Sequence, residues 1–261
     1  MNELGIEALV TIGGDGTLCV ANRLHQVGIP VIGIPKTIDN DVLGTELTFG
    51  FDSATTVVMD ALDRLHTTAS SHHRVMIVEV MGRHAGWLAL FGGVAGGGDV
   101  LLIPEIPFNI EIVKDAVKRR AQHGKRFSIV VVAEGAIELT TGGKSASQSL
   151  GPSADKPPLG GIAAQLARRV EALTNLETRS LELSHLQRGG SPTAFDRILG
   201  TEFGYCAVQL IRERRWGEMV ALRDGKTSSV PISVPASGIK KVPLDHKLIL
   251  AARSVGSCFG D

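Results

Sequence analysis

The chain has 261 residues, 43% hydrophobic and 21% charged, with 27 basic and 27 acidic side chains and a formal net charge of +0. That is enough apolar material for one large or two modest domains, and the even charge balance excludes the basic excess of a general nucleic-acid surface. Gly, Asp or Pro interrupts every apolar run before it reaches membrane-spanning length, and the start Met1-Asn2-Glu3-Leu4 has no signal-peptide pattern, so no membrane is expected. Cys19, Cys206 and Cys258 are widely spaced and show no metal-ligand spacing, as expected of reduced thiols in a cytoplasmic protein.

In chain order, residues 8–13 predict a strand, and residues 17–27 a helix with Leu18, Ala21, Leu24 and Val27 on one face. A second strand is predicted over 30–34. A helix follows over 53–69, with Ser53 as N-cap and Val57, Val58, Ala61, Leu62 and Leu65 as its apolar positions. Residues 74–80 predict a strand that ends in Met81-Gly82-Arg83, and 84–95 a helix lined with Ala and Leu. A short strand at 101–103 is closed by Pro104. Residues 109–123 predict an amphipathic helix with Ile112, Val113, Ala116 and Val117 inward. The β-branched run 128–133 predicts a buried strand, followed by Glu134-Gly135. Residues 140–161, rich in Gly, Ser and Pro, read as a long surface loop. Beyond it come a helix over 162–173, a strand over 179–187, a long helix over 195–215 and a strand–loop–helix tail over 219–256. Strands alternating with helices point to an α/β protein with parallel sheets and right-handed crossovers.

Two of the predicted strands run directly into chemistry. Gly13-Gly14-Asp15-Gly16-Thr17 follows the first, and Pro35-Lys36-Thr37-Ile38-Asp39-Asn40-Asp41 the second. Open α/β sheets bind their ligands at the carboxyl ends of strands. Carboxylates placed there can divide phosphoryl transfer between them, one taking a proton from an attacking hydroxyl and another holding Mg²⁺. Gly14 and Gly16 would let backbone amides approach a phosphate chain. Arg83, after a strand and beside Gly82, presents a fork that can grip phosphoryl oxygens. Arg74, Arg179, His185 and Arg188 form a second basic set, suited to a phosphate because guanidinium groups bind it bidentately. Each residue also has a plainer reading: Asp15 and Asp39 as turn formers, Arg83 as an exposed ion pair, Met81 as core, and His185 as a structural histidine. His72 and His73 lack companion ligands and read as structural or phosphate-adjacent.

Four motifs together carry a resemblance: Gly13–Thr17, Pro35–Asp41, Glu79-Val80-Met81-Gly82-Arg83 and His185-Leu186-Gln187-Arg188-Gly189-Gly190-Ser191-Pro192. In order and approximate spacing they resemble the 6-phosphofructokinases. The resemblance implies two Rossmann-like three-layer α/β/α domains with the active site in their cleft. The expected bounds are 1–50 plus 187–237 for a large phosphoryl-donor domain and 51–186 plus 238–261 for a small fructose 6-phosphate domain. It implies the glycolytic transfer of a phosphoryl group to the 1-hydroxyl of fructose 6-phosphate, by a homo-oligomer (tetramer or dimer) whose subunits share their sugar-phosphate sites. Asp39 would be the general base, Thr37 would contact the transferred group or the sugar, and Asp15 and Asp41 would hold Mg²⁺. Gly14, Asp15, Gly16, Thr17 and Lys36 would face the donor, and Arg83 would stabilise the transition state. Met81, Gly82 and Glu134 would line the sugar pocket. His185 and Arg188 would hold the 6-phosphate of their own subunit, with Arg74 and Arg179 arriving from a neighbour.

The sequence also departs from the family pattern. Members normally begin with a further Rossmann-like unit bearing a glycine-rich nucleotide loop. The large domain is therefore expected to lack its first strands, to expose apolar edges, and to be poorly stable or inactive alone. Gly16 resembles ATP users, whereas Lys36 resembles pyrophosphate users. ATP is the favoured donor because a carboxylate in place of Gly16 would repel the α-phosphate. Asp99 and Lys125 match parts of an effector site, but His66 stands where arginine is common, so no allosteric control is assigned. The alternatives are a pyrophosphate-dependent enzyme and a non-catalytic sugar-phosphate-binding fragment. A lipid or NAD kinase would fit Gly13–Thr17 but leave His185–Pro192 unexplained.

Overall fold

A computed structural model describes residues 5–139 and 161–261, so the loop expected over 140–161 lies outside the described residues except for Gly161. In chain order the elements are β1 (Leu9–Gly13), α1 (Asp15–Gln26), β2 (Val31–Thr37), β3 (Phe49–Gly50), α2 (Phe51–His72), β4 (Val75–Val80), α3 (Trp87–Ala95) and β5 (Val100–Leu102). They continue with α4 (Ile110–Gln122), β6 (Ser128–Ala133), α5 (Ile162–Thr174), β7 (Thr178–Glu182), α6 (Ala194–Arg212), β8 (Glu218–Arg223), β9 (Lys226–Pro231) and α7 (Lys247–Ser254). Parallel sheets flanked by helices make this an α/β protein. No described helix is long and apolar enough to cross a membrane. The chain divides into two compact units, Met1–Ser53 with Gly190–Lys240 and Ala54–Gly189 with Lys241–Asp261.

In the first unit β1, β2 and β8 run parallel, β9 closes the sheet antiparallel to β8, and β3 pairs with the end of β2. β2 is buried from Val31 to Pro35, as a central parallel strand must be. Its side chains alternate between two helical layers. Ile32 and Ile34 meet Leu199, Phe203, Ala207 and Leu210 of α6. Val31 faces Ala21 of α1, and a Cβ on Gly33 would strike Leu18. β1 is an edge strand, and Val10 and Ile12 stand exposed on it.

The second unit is an all-parallel sheet in the order β5-β6-β4-β7. One face packs on α4 and α5 through Val75, Ile77, Val130, Val132, Val113, Val117, Leu166 and Val170. On the other face α3 takes the side chains of α2 at close range, because Gly92 leaves room for Val58 and Gly96 for Leu62.

Four local expectations are corrected. Ser53 is not an N-cap: α2 already begins at Phe51, and the Ser53 hydroxyl instead donates to Asp196 Oδ2 at 2.5 Å. On α4 the residue turned fully inward is Ile110, while Ile112 is only half-buried. The strand expected over 179–187 ends at Glu182. Ser184 enters a left-handed conformation (φ 41°), and residues Ser184–Arg188 form a 3-10 turn. The tail holds a hairpin rather than a lone strand. Asp224 and Gly225, both at positive φ, make the two-residue turn between β8 and β9, a signal the Asp-Gly pair carried in sequence.

Candidate active site

The first unit brings the two glycine- and aspartate-bearing motifs side by side. Gly13 pairs with Pro35 across β1 and β2, so both loops leave the same end of the sheet. Gly14 lies directly against Thr37, where an added Cβ would come within 3.3 Å of the threonine Cβ. Thr37 donates to Asp39 Oδ2 at 3.3 Å and accepts from the Asp39 amide at 3.2 Å, a local turn that holds the aspartate by its own backbone. Asp15 opens α1, where the positive end of the helix dipole favours a carboxylate. Thr17 is the second residue on, and Lys36 and Gly16 are exposed. Apart from its chain neighbours and its own helix backbone, no atom of the described residues lies within 4 Å of where a Gly16 Cβ would stand, so packing there does not require glycine.

Asp41 is the buried member of the group, and its Oδ1 has no hydrogen-bond partner among the described residues. Burial first, then the nearby charges of Asp39 and Asp15, push its carboxyl up to about 6. The repulsion that raises a buried carboxyl beside two others is what a divalent cation relieves, and the orphaned Oδ1 supplies a ligand atom, so these residues fit Mg²⁺. The described residues contain no cluster of three or more protein ligands. A Mg²⁺ ion here would therefore complete its coordination from phosphates and water, its usual habit.

Lys240 was missed in the sequence because it belongs to no motif. Its ammonium donates to Asn40 Oδ1 at 3.0 Å, Thr45 O at 3.0 Å and Glu46 O at 2.9 Å. Its own amide donates to Asp41 O at 2.7 Å.

In the second unit the ends of three parallel strands are tied together. Met81, Gly82 and Arg83 leave β4 beside Glu134 and Gly135, which leave β6. The Gly82 amide donates to Glu134 Oε1 at 3.4 Å and the Gly135 amide to Gly82 O at 3.2 Å. Gly82 sits at φ 138°, and a Cβ there would come within 2.8 Å of Ala85 O, so glycine is required. Gln187, buried in the His185–Arg188 turn, accepts from the Met81 amide at 3.2 Å and donates to Ser184 O at 3.1 Å. It links two motifs that the sequence only lists in order. Glu105 takes the Gly86 amide on both carboxylate oxygens at 3.1 Å and so braces the loop that follows Arg83. Glu79 is buried, and burial raises its carboxyl. It accepts the Ala163 amide at 3.0 Å and caps α5, which has no side-chain cap of its own.

The four basic residues are not all gathered within one chain. His185 and Arg188 lie exposed near the carboxyl ends of the strands, whereas Arg74 precedes β4 and Arg179 is the second residue of β7. The six residues of β4 separate the two ends by about 16 Å. Arg74 and Arg179 are brought together by Glu177, which pairs with Arg74 Nε at 2.9 Å and with Arg179. Sequence reading missed Glu177 because an acid among phosphate-binding arginines reads as an ordinary surface charge. His72 ends α2 and His73 takes a left-handed φ of 55° just after it, the positions of a helix terminus. Asp99 is committed internally: it pairs with Arg120 at 2.7 Å and accepts the Ile129 amide at 2.8 Å.

Comparison with known proteins gives the family of the whole chain. The family described as Phosphofructokinase matches residues 1–211. The chain is 52% identical to the ATP-dependent 6-phosphofructokinase of Chloroflexus aurantiacus over 261 residues, covering 100% of this chain and 71% of that protein. It is 46% identical to the ATP-dependent 6-phosphofructokinase 3 of Bacteroides thetaiotaomicron over 260 residues, covering 100% of this chain and 72% of that protein. Among solved structures, the Saccharomyces cerevisiae phosphofructokinase superposes with a TM-score of 0.76 at 30% identity, over 90% of this chain and 33% of that one. A pyrophosphate-dependent phosphofructokinase from Marinobacter aquaeolei gives 0.78 at 26% identity, over 93% and 63% respectively. The chain belongs to the phosphofructokinase family.

Proposed function

We propose that the protein transfers the terminal phosphoryl group of ATP to the 1-hydroxyl of fructose 6-phosphate, as a glycolytic 6-phosphofructokinase. The observation that carries the reading is the buried Asp41 with its orphaned oxygen, charge-coupled to Asp39 and Asp15 at the ends of β1 and β2. In this reading the first unit is the donor half and the second the sugar-phosphate half. Asp39, half-exposed and fixed by Thr37, takes the proton from the sugar hydroxyl as it attacks. Asp15 and Asp41 would hold Mg²⁺, which supplies charge neutralisation for the phosphoryl oxygens. Gly14, Gly16 and Thr17 leave backbone and space for the phosphate chain, and Lys36 contributes a cation beside it. Arg83 meets the charge that spreads over the transferred group, while Met81, Gly82 and Glu134 orient the sugar. His185 and Arg188 take the 6-phosphate.

Arg74 and Arg179 lie near the opposite strand ends, and this supports a shared site. They would serve the 6-phosphate of a second copy in a homo-oligomer, and Glu177 would hold them ready as a pair. A cytoplasmic setting goes with this chemistry and with three free cysteines. The names of the curated relatives and the open space at Gly16 favour ATP. The exposed Lys36 and the Marinobacter aquaeolei structure favour the second reading, pyrophosphate.

The test is fructose 1,6-bisphosphate formation from fructose 6-phosphate and Mg²⁺ with ATP or pyrophosphate, beside an Asp39→Asn variant. Turnover with ATP that falls by about 10²-fold or more in the variant supports the reading. Turnover with pyrophosphate alone replaces the donor. Tight fructose 6-phosphate binding without turnover from either donor would make the protein a sugar-phosphate binder.

A further inference from the structure

Asp39 and Asp41 lie on a long irregular connection that leaves β2 directly after Thr37 and leads to β3, with almost no regular structure of its own. Such a loop would be a poor holder of catalytic carboxylates, since misplacement by about 1 Å can lose about 100-fold in rate. Something must fix it. Asn40 takes a left-handed φ of 50°, and its Oδ1 accepts the Thr48 amide at 3.1 Å, which folds the loop back on itself. The same oxygen accepts from the Lys240 ammonium, as do the carbonyls of Thr45 and Glu46. Three acceptors, one at Asn40 and two at the consecutive carbonyls of Thr45 and Glu46, thus converge on one cation. The Lys240 backbone extends the grip, through its amide on Asp41 O and a bridge between Ile239 and Val42.

We propose that Lys240 is a positioning residue for phosphoryl transfer, its ammonium acting as the post around which the loop is wound so that Asp39 and Asp41 keep their spacing. The proposal rests on the reading of this loop as the catalytic one. Lysine suits the post better than arginine does. An ammonium is compact and offers three rotatable donors to acceptors converging from different directions, whereas a guanidinium offers a flat fork. Its positive charge also lies beside Asp41, where it offsets part of the repulsion among the carboxylates. Burial outweighs that attraction and draws the ammonium down to about 8.

The experiment compares Lys240→Met and Lys240→Arg with the parent chain in two readouts. The first is steady-state kinetics with fructose 6-phosphate, ATP and Mg²⁺. The second is amide hydrogen exchange over residues 38–48, with residues 128–133 of the second unit as the internal reference. Both variants are expected to lose about 10- to 100-fold in kcat while KM for fructose 6-phosphate stays within about twofold, because the sugar-binding residues belong to the other unit. Exchange over 38–48 is expected to quicken about 10-fold or more with 128–133 unchanged. Parental kcat in either variant, a loss carried by KM, or uniform quickening of exchange would overturn the proposal. Recovery in Lys240→Arg would also overturn it, since charge alone would then suffice. If Lys240→Met does not fold, Asn40→Gly keeps the left-handed backbone while removing the shared oxygen, and the same two readouts decide. A parent chain without turnover from ATP would remove ATP as the donor, whereas the exchange arm would still decide whether Lys240 holds the loop.

Discussion

Replacing Asp41 by Asn should make the metal-free protein more stable at neutral pH, although the residue is part of the proposed metal site. The carboxyl stands raised from 3.8 to about 6 by burial, then by Asp39 and Asp15. Its folded value is therefore above its unfolded one. The stability that goes with its proton is fully present below about pH 4 and is lost as pH rises through about 6. Two pH units of displacement correspond to about 3 kcal/mol at most, at about 1.4 kcal/mol per unit. An asparagine has no such proton to lose. Asp41→Asn should thus lie close to the parent at pH 4 and gain progressively up to about pH 7, where the gain levels off. The assay is urea unfolding with metal chelated, at pH 4, 5, 6 and 7. Trp216 lies in the first unit and Trp87 in the second, so a Trp87→Phe background lets fluorescence report the unit that contains Asp41. A difference that does not change with pH, or that changes in the opposite direction, would refute the electrostatic account.

Other expectations follow from single contacts. Gly16→Asp should fold like the parent, because no other described element crowds the position, yet lose most of its ATP turnover through repulsion of the donor; circular dichroism and kinetics separate the two effects. Gly82→Ala should destabilise the second unit by about 1–3 kcal/mol and lose activity, since φ 138° strains any Cβ and Ala85 O blocks it; chemical unfolding monitored through Trp87 reads the loss. Phe203→Ala should lose about 3–5 kcal/mol from the first unit, as the fully buried ring packs edge-on against Phe49 beneath β2 and β3; unfolding monitored through Trp216 checks it. Mixing the inactive variants Asp39→Asn and Arg179→Ala should restore part of the turnover if subunits share sites, and no recovery in mixed oligomers would remove that reading.

Most of the fold was legible because its signals are local. The continuous β-branched run 128–133 reads as a buried parallel strand, and β6 occupies those same residues. The spacing of Val113, Ala116 and Val117 reads as a helix face, which α4 buries. The errors fell where a distant partner decides. Ser53 looks like an N-cap in sequence, but Asp196, 143 residues away, claims its hydroxyl. β2 outruns its apolar segment because β3 offers Lys36 and Thr37 a pairing edge, and β3 is too short to show in sequence at all.

The site divides the same way. Sequence alone marked which side chains are candidates for chemistry, because glycines, aspartates and arginines offer backbone clearance and charge, and both are properties of the residue itself. It could not say that Asp41 rather than Asp39 is the buried carboxyl. Nor could it say that Arg74 and Arg179 share Glu177, that Gln187 joins Met81 to the His185–Arg188 turn, or that Lys240 stands under the Asp39–Asp41 loop. Each of these is a contact between residues far apart in the chain or a difference in burial. Tertiary packing alone decides such things, since hydrogen bonds and desolvation depend on what surrounds a group in space and not on its neighbours in sequence.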